Sequence, residues 1–559
     1  MARKCDPVTT EVIRNQVQSI VEEMAIALMK SAYSTNIKER RDLSAAVFDA
    51  RGRTVVQGEH LPLHLGSMLG LVEHIRNRYP EDRICPGDIF ISNDPYRGGG
   101  SHLPDVAMAA PVFREGRLVL FVGNIAHHAD IGGASPGSMA GNMTEVYQEG
   151  LRLPPIKIFE RGSLIEDVFE LILLNVRVPE ERRGDYAAQF ASLRLGVRRT
   201  LELYEKWGEQ TIAAALDEIL DATERHVRRS IARLPDGEYL FEDFMDDDGF
   251  GNQDIPIRVK IAVQGEEIVF DFTGSAPQVK GNINISWSGL QATVAYALKC
   301  LVGPDIPSNE GFYRPVRIVA PHGTIVNCAA PGATAGRAQT CQRVVDVIIG
   351  ALAPALPERA IGASNGSNTS ATFYGRNPAN GEYYVYIETY GGGSGGRAFK
   401  DGKDGVQVHI TNTSNLPIEG LETEYPLFVE DYSLVPDSCG SGKYRGGLGL
   451  RRDVRILGHT CDFSSQGDRF RRRPWGIFGG GPGRTGRMIL RQGQPDQVEL
   501  PSKTSGVEIR PGEVIRIQTP GAGGYGPARE RDPELVRKDL REGKISPERA
   551  RADYGVSVD

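Results

Sequence analysis

"GRLVLFVGNIAHHADIGG", residues 116–133, joins a continuous apolar run to two adjacent histidines, a carboxylate and a pair of glycines. An unbroken apolar run of this kind reads as a strand buried on both faces. The strand ends at or just before His127. Strand ends are where side chains from distant segments converge on a cleft. That places His127, His128 and Asp130 at its rim. Histidine is scarce in this chain, 10 in 559 residues, so two side by side are informative.

Working outward, "NDPYRGGGSHLPDVAM" (93–108) carries His102 and Asp105. Gly98, Gly99 and Gly100 permit unusual φ and Pro104 restricts the backbone, so this is a tight non-helical loop. It follows "GDIFISND" (87–94), a second buried strand. A further carboxylate, Asp42, heads "DLSAAVFDARGRTVVQGEH" (42–60), read as two short strands around a turn at Ala50-Arg51-Gly52. Two imidazoles and two carboxylates form a nitrogen and oxygen set suited to Zn²⁺, Mn²⁺ or Fe²⁺. The residues alone leave two readings open: a metal site, or loop histidines satisfied by ordinary hydrogen bonds. Chemistry alone does not select Asp42 over Asp49, Asp94 or Asp130.

The remaining pattern sets the fold class. Val12, Ile13, Val17, Ile20, Val21, Met24 and Leu28 recur at helical spacing, so 7–33 is an amphipathic helix entered at Asp6-Pro7. Helices are also expected near 66–79, over 184–233 as a pair broken near Trp207-Gly208, and near 287–302 and 339–355. The whole reads as α+β, a large mixed multi-lobed chain. Its parts are an N-terminal α/β region with the metal-binding loops and the helical pair (1–235), a mixed α/β middle region (236–359), a β-rich Gly/Pro-rich region (360–527) and a short charged helical tail (528–559).

Composition excludes several function classes. The net charge is −7, and the one basic run, "RFRRRPW" (469–475), is isolated. That argues against a nucleic-acid partner, which needs a concentrated basic surface. The basic run reads as a solvated loop or a local anion or subunit contact. No apolar stretch of about 18 residues is present, so no membrane span is expected. "MARKCDPVTTEV" has no apolar segment typical of a secretory leader. The seven cysteines form no CxxC pair, which fits reduced thiols and a cytoplasmic protein. Cys341 is open to two readings, a nucleophile or a small buried hydrophobe.

"GGGSGG" (391–396) is not followed by a helix, and "GSGKYRGG" (440–447) lacks P-loop spacing, so no nucleotide site is expected on this chain. "DDD" (246–248) reads as an acidic turn before a cation site. "HITNTSNLPIEG" (409–420), with His409, Asn412, Asn415 and Glu419, lines a cleft or an interface, or satisfies its own backbone.

Seven stretches taken together resemble the hydantoinase B family, which serves ATP-dependent hydantoinases and 5-oxoprolinases as their B-type component. The family is related to the metal-bearing subunit of acetone carboxylase. The stretches are "NIKERRDLSAAVFDARGRTVVQGEHLPLHLGSM", "PGDIFISNDPYRGGGSHLPDVAMAAPVF", "AHHADIGGASPGSMAGNMTEVYQEGLRLPPIKI", "VFDFTGSAPQVKGNIN", "ETYGGGSGGRAFKDG", "HITNTSNLPIE" and "TPGAGGYGP". The resemblance implies one divalent transition metal ion, Zn, Mn or Fe, held by Asp42, His102, Asp105 and His127. His128 and Asp130 then stand as catalytic candidates beside it, orienting the ligand imidazole or accepting a proton. The family usually reads GGTH before LPD, where this chain has the longer GGGSH.

The resemblance also implies a partner, an ATP-binding hydantoinase A-type subunit carrying ATP and Mg, in a heterotetramer or larger heteromer. The expected reaction is hydrolysis of a small cyclic amide of the hydantoin, N-methylhydantoin or 5-oxoproline type, activated by that partner. The alternative is a subunit of an ATP-dependent ketone carboxylase of the acetone carboxylase type.

Overall fold

The computed structural model describes residues 5–58, 60–98 and 100–557. Gly99 of the glycine loop, Glu59 of the 42–60 stretch and the four N-terminal residues lie outside the described residues.

The opening run forms the centre of a seven-stranded sheet. Its strands are β1 (Leu43–Asp49), β2 (Thr54–Gln57), β3 (Ile89–Ser92), β4 (Asp105–Arg114), β5 (Arg117–His127), β6 (Ile156–Glu160) and β7 (Ser163–Leu164). The order is β2-β1-β5-β4-β3-β6-β7, and every neighbouring pair is antiparallel. Successive residues point to opposite faces. Leu120, Val122 and Ala126 of β5 enter one core, while Phe121 and Ile125 enter another. The helices Pro7–Ser31 and Pro179–Trp207 pack on the first face, and Leu71–Arg78 packs on the second. With both faces covered, no polar alternation is needed, which explains the continuous apolar run in an antiparallel sheet.

The helices follow the periodicity. Asp6 caps Pro7–Ser31 by accepting from Val8 N at 3.0 Å, and Pro7 at the first position lacks only an N–H that would be unpaired anyway. The expected 184–233 pair is Pro179–Trp207 and Glu209–Ile231, joined at Gly208 with φ +74°.

A second, four-stranded sheet holds Gly237–Asp247, Gln253–Gln264, Glu267–Asp271 and Val316–Val319, the last two parallel. Helices Trp287–Val302 and Arg337–Leu352 pack with it in one core, and every residue of Arg337–Leu352 is buried. Residues beyond 360 supply a four-stranded and a five-stranded antiparallel sheet around a third core. No helix among the described residues is long and apolar enough to cross a membrane.

The basic run is solvated only in part: Arg471 and Arg473 are exposed, but the run is anchored at its start and along its backbone. Arg469 is buried and pairs with Asp243 at 2.7 Å and Asp346 at 3.1 Å. Asp246 accepts from the backbone N–H groups of Phe470, Arg471 and Arg472. The "DDD" turn is thus the anchor of the arginine run, binding the second sheet to the C-terminal region.

Gly66 marks the closest approach between the short helix His64–Ser67 and the helix Trp287–Val302. A Cβ there would lie 2.5 Å from the backbone nitrogen of Ala292. Gly66→Ala therefore forces the two helices apart and is expected to cost about 1–3 kcal/mol, as other overpacked sites do. Chemical denaturation would show it as a lowered midpoint; an unchanged midpoint would mean that this contact is soft.

Candidate metal centre

Strand register assembles the centre. Asp105 pairs with His127 across β4 and β5, and Leu43 pairs with Ala126 across β1 and β5. One step before Leu43, the Asp42 carbonyl accepts from His127 N at 3.0 Å. Asp42, His127 and Asp105 therefore stand abreast at one end of three adjacent strands. Alternation turns all three to the face opposite the long helices, since Leu43, Ala126 and Val106 beside them enter the helix-side core. His102 reaches the same point from the preceding turn, closed by Asp105 N donating to His102 O. Gly100 (φ +77°) lets that turn close, because a Cβ there would lie 2.7 Å from Asp105 O. Arg41, just before Asp42, also has a left-handed backbone at φ +59°.

Ligand-capable atoms of His102, Asp105 and His127 all lie within 4.8 Å of one another. The two imidazole rings are 4.9 Å apart, and His102 Nε2 lies 3.0 Å from Asp105 Oδ1 without the alignment of a hydrogen bond. Asp42 Oδ1, His64 Nε2, His102 Nε2 and Asp105 Oδ1 are all buried with no hydrogen-bond partner among the described residues. Leaving one such atom unpaired costs about 1–3 kcal/mol. Four aimed at one point make a chemically sensible cradle for a divalent cation.

Burial pulls the His102 imidazole down to about 4, aided by the nearby Arg337 charge, so it remains a neutral lone-pair donor at neutral pH. Burial also holds His127 well below its ordinary value, and protonation of His102 would lower it further. Burial raises Asp42 against the opposing pull of His64 and Arg40. For Asp105 burial acts upward as well, but His102 and Arg337 outweigh it and keep the carboxyl well below the usual range.

Surrounding groups fix these side chains. Arg337 donates to Asp105 Oδ2 and to Ser101 Oγ, each at 2.8 Å. Asn36 Nδ2 lies 3.0 Å from His127 Nδ1 and donates to the His127 carbonyl. His102 Nδ1 lies 3.3 Å from Ala335 O. Glu149 in turn accepts from Thr334 N and Ala335 N at 2.7 Å, although burial pushes its carboxyl up to about 8. The small cavity beside the cluster, about 30 Å³, is lined by Asp42, Asp105 and His127 together with Asn368, Thr389, Thr411 and Thr413. Two threonines of the 409–420 segment thus face the cleft.

The structure brings His102, Asp105 and His127 within 4.8 Å of one another; Asp42 stands outside that group, lining the same small cavity and 3.7 Å from His64. His128 and Asp130 take other partners. His128 points to the opposite face, 2.9 Å from Gln189 Oε1 and stacked on Tyr186 at 4.3 Å. Asp130 accepts from the backbone of Gly132, Gly137 and Arg177 and from the Arg177 guanidinium, which organises the loop after β5. Cys341 is fully buried and its thiol is pushed up to about 11, as the hydrophobe reading expects.

Sequence reasoning missed His64, whose Nε2 lies 3.7 Å from Asp42 and 3.8 Å from Asp105. It also missed Arg337 and Glu149. His64 offered one faint signal, a lone histidine within the apolar "LPLHLGSM". The other two are joined to the centre only by the fold.

Residues 6–528 match the family described as Hydantoinase B/oxoprolinase. A putative D-/L-hydantoinase component of the B type from Pseudomonas sp. (strain NS671) is 35% identical over 100% of this chain and 96% of its own length. The crystal structure of the ATP-dependent caprolactamase from Pseudomonas jessenii superposes with a TM-score of 0.94 at 30% identity, covering 100% of this chain and 97% of that one. Acetone carboxylase in its nucleotide-free structure shares the fold, with a TM-score of 0.91 at 18% identity over 99% of this chain and 80% of the other. With the match spanning nearly the whole length, the chain belongs to the hydantoinase B/oxoprolinase family.

Proposed function

We propose that this chain is the metal-binding, B-type component of an ATP-dependent cyclic-amide hydrolase, acting on a substrate activated by an ATP-binding A-type subunit. The carrying observation is the meeting of His102, Asp105 and His127 at one buried point, with Asp42 lining the cavity beside them and unpaired polar atoms on Asp42, His102 and Asp105. The names of the relatives, hydantoinase and caprolactamase, share a ring amide as substrate. Acetone carboxylase shares the fold alone at 18% identity, so the ketone carboxylase reading has less support.

Asp42, His102, Asp105 and His127 would hold one Zn, Mn or Fe ion, with His64 beside the two carboxylates. A divalent ion in that set supplies Lewis acidity, polarising an oxygen and bringing the ionisation of water toward neutral pH. An unactivated ring amide is a poor electrophile because resonance stiffens its C–N bond. Phosphorylation of its oxygen by the partner, using ATP and Mg there, would weaken that resonance. Within this chain, Arg337 holds the Asp105 carboxylate in place, and Glu149 fixes the 334–335 backbone against which His102 rests. Thr389, Thr411, Thr413 and Asn368 supply hydroxyl and amide groups to orient a carbonyl and a ring nitrogen. At about 30 Å³ the cavity has room for water and not for a ring. A ring substrate enters only when lining side chains such as Met139 move.

We assign His128 to holding the end of β5 on the helical core, since its ring is tied to Gln189 and Tyr186.

The purified pair of this chain and its A-type partner tests the assignment. Amide-dependent ATP hydrolysis with ring opening is expected, and ketone-dependent fixation of labelled bicarbonate would overturn it. In that assay His102→Ala should lower the rate roughly a thousandfold. Arg337→Gln should lower it roughly 10- to 100-fold, as loss of a group that orients a ligand does.

A second prediction concerns pH. The folded His128 sits at about 4, below its ordinary 6.5, because burial disfavours its charge. Between those values the unfolded chain binds the proton and the folded chain does not. The stability from a neutral His128 is therefore complete above about 6.5 and is lost as pH falls toward about 4. His128→Gln should flatten that acid-side decline in unfolding midpoint while leaving the pH profile of ring opening unchanged. A shifted rate profile would restore a proton-transfer role to His128.

A further inference from the structure

The segment "HITNT" (409–413) is a wall with two sides. Thr411 and Thr413 face the cavity of the candidate metal centre. His409 faces a different and much larger cavity of about 830 Å³. That volume falls within the usual range for small-molecule sites, about 300–1,000 Å³.

Three features mark this chamber as a built site. First, His409 is buried and its Nε2 lies 3.1 Å from the carboxylate of Asp346, itself sealed in the helix Arg337–Leu352. Asp346 is fixed further by Ser364 N and by Arg469. An imidazole anchored to a carboxylate through one nitrogen has its tautomer set and presents the other nitrogen outward. His409 Nδ1 takes no hydrogen bond from the described residues. Second, His409 adopts a left-handed backbone, φ +51°, uncommon for a residue with a Cβ and held here by the surrounding fold. Third, Arg397 lines the same chamber and its guanidinium has no carboxylate within ion-pair reach among the described residues. Tyr296, Leu301, Ile349 and Ile361 make the rest of the wall largely apolar. At the rim, Glu358 and Arg359 carry opposite charges that offset each other.

From this arrangement we infer that the chamber binds a small organic oxyanion that also carries a hydroxyl, its charged head on Arg397, its hydroxyl on His409 Nδ1 and its apolar body against Tyr296 and Ile349. The guanidinium donates to the oxyanion, and such charge-assisted bonds are the stronger kind; His409, giving its Nε2–H to Asp346, keeps a lone pair on Nδ1 and accepts from a hydroxyl of the ligand. The head is a phosphate or a carboxylate, which share this chemistry. The site stands on the far side of the 409–413 wall from the metal centre and does not depend on the hydrolase assignment.

Titration calorimetry on the full-length protein with 4-hydroxyphenyl phosphate and with 4-hydroxybenzoate tests the inference. Binding of at least one is expected, with Arg397→Ala and His409→Gln each weakening it by about tenfold or more. Tighter binding of 4-hydroxyphenyl phosphate assigns a phosphate head, and tighter binding of 4-hydroxybenzoate assigns a carboxylate. His409→Gln disturbs a buried pair, so a second readout guards against misfolding. In the wild-type protein the bound probe should protect Arg397 from phenylglyoxal, read by peptide mass spectrometry. Absence of binding by both probes, or binding with Arg397 unprotected and its affinity unchanged in Arg397→Ala, would overturn the inference.

Discussion

The register of three antiparallel strands is the constraint on which the centre depends. β1, β5 and β4 run side by side, and the pairing sets Asp42, His127 and Asp105 level at one end. Side chains alternate with a period of two, so a slip of one residue in β5 would send His127 into the helical core and turn His128 to the centre. Register is held by apolar packing on both faces. Val122 and Ala126 belong to one core and Phe121 and Ile125 to the other, so a slip would exchange every one of these contacts. The long helices thus help position the centre without touching it.

Such a site sits where polar groups are costly. Asp105 and His102 are fully buried, as are Glu149 and most of Arg337. Charges this deep persist only when paired and hydrogen-bonded. Arg337 and Ser101 satisfy one oxygen of Asp105, and the backbone of Thr334 and Ala335 satisfies Glu149. The oxygen of Asp105 facing the histidines is left unpaired. Hydrogen bonds fall on the outer atoms of Asp105, His102 and His127, and the facing atoms of Asp105 and His102 stay unpaired. The His409 chamber is arranged differently: Asp346 satisfies one side of an imidazole whose other side opens on a large cavity.

Local pattern made the scaffold legible. The helices Pro7–Ser31, Trp287–Val302 and the pair meeting at Gly208 all follow from three- and four-residue spacing with caps or breaks at their ends. Of the first sheet, β3 and β5 followed from unbroken apolar runs and β1 and β2 from a turn between two short strands, whereas β4, β6 and β7 were not legible. Scarcity and strand-end placement pointed to His127, and the Gly/Pro loop pointed to His102. Beyond that, local signals ran out. Asp42 was one of several equivalent carboxylates by chemistry, and only the resemblance singled it out. His127 and His128 looked alike until strand alternation separated them. Arg337 meets Asp105 across 232 positions, a contact no spacing rule encodes. Exposed Arg471 and Arg473 fit the solvated reading of "RFRRRPW", but burial of Arg469 was hidden because its counter-charges, Asp243 and Asp346, lie far away in sequence.

The central claim is that strand register builds a metal-binding centre from Asp42, His102, Asp105 and His127. Elemental analysis of the untagged, folded protein tests it most directly, with wild type beside His102→Ala and His127→Ala. About one equivalent of a transition metal is predicted in the wild type, lost in both variants without loss of fold. A folded wild type that takes up no Mn²⁺, Fe²⁺ or Zn²⁺, alone or with its A-type partner, would contradict it, as would metal retained in both variants.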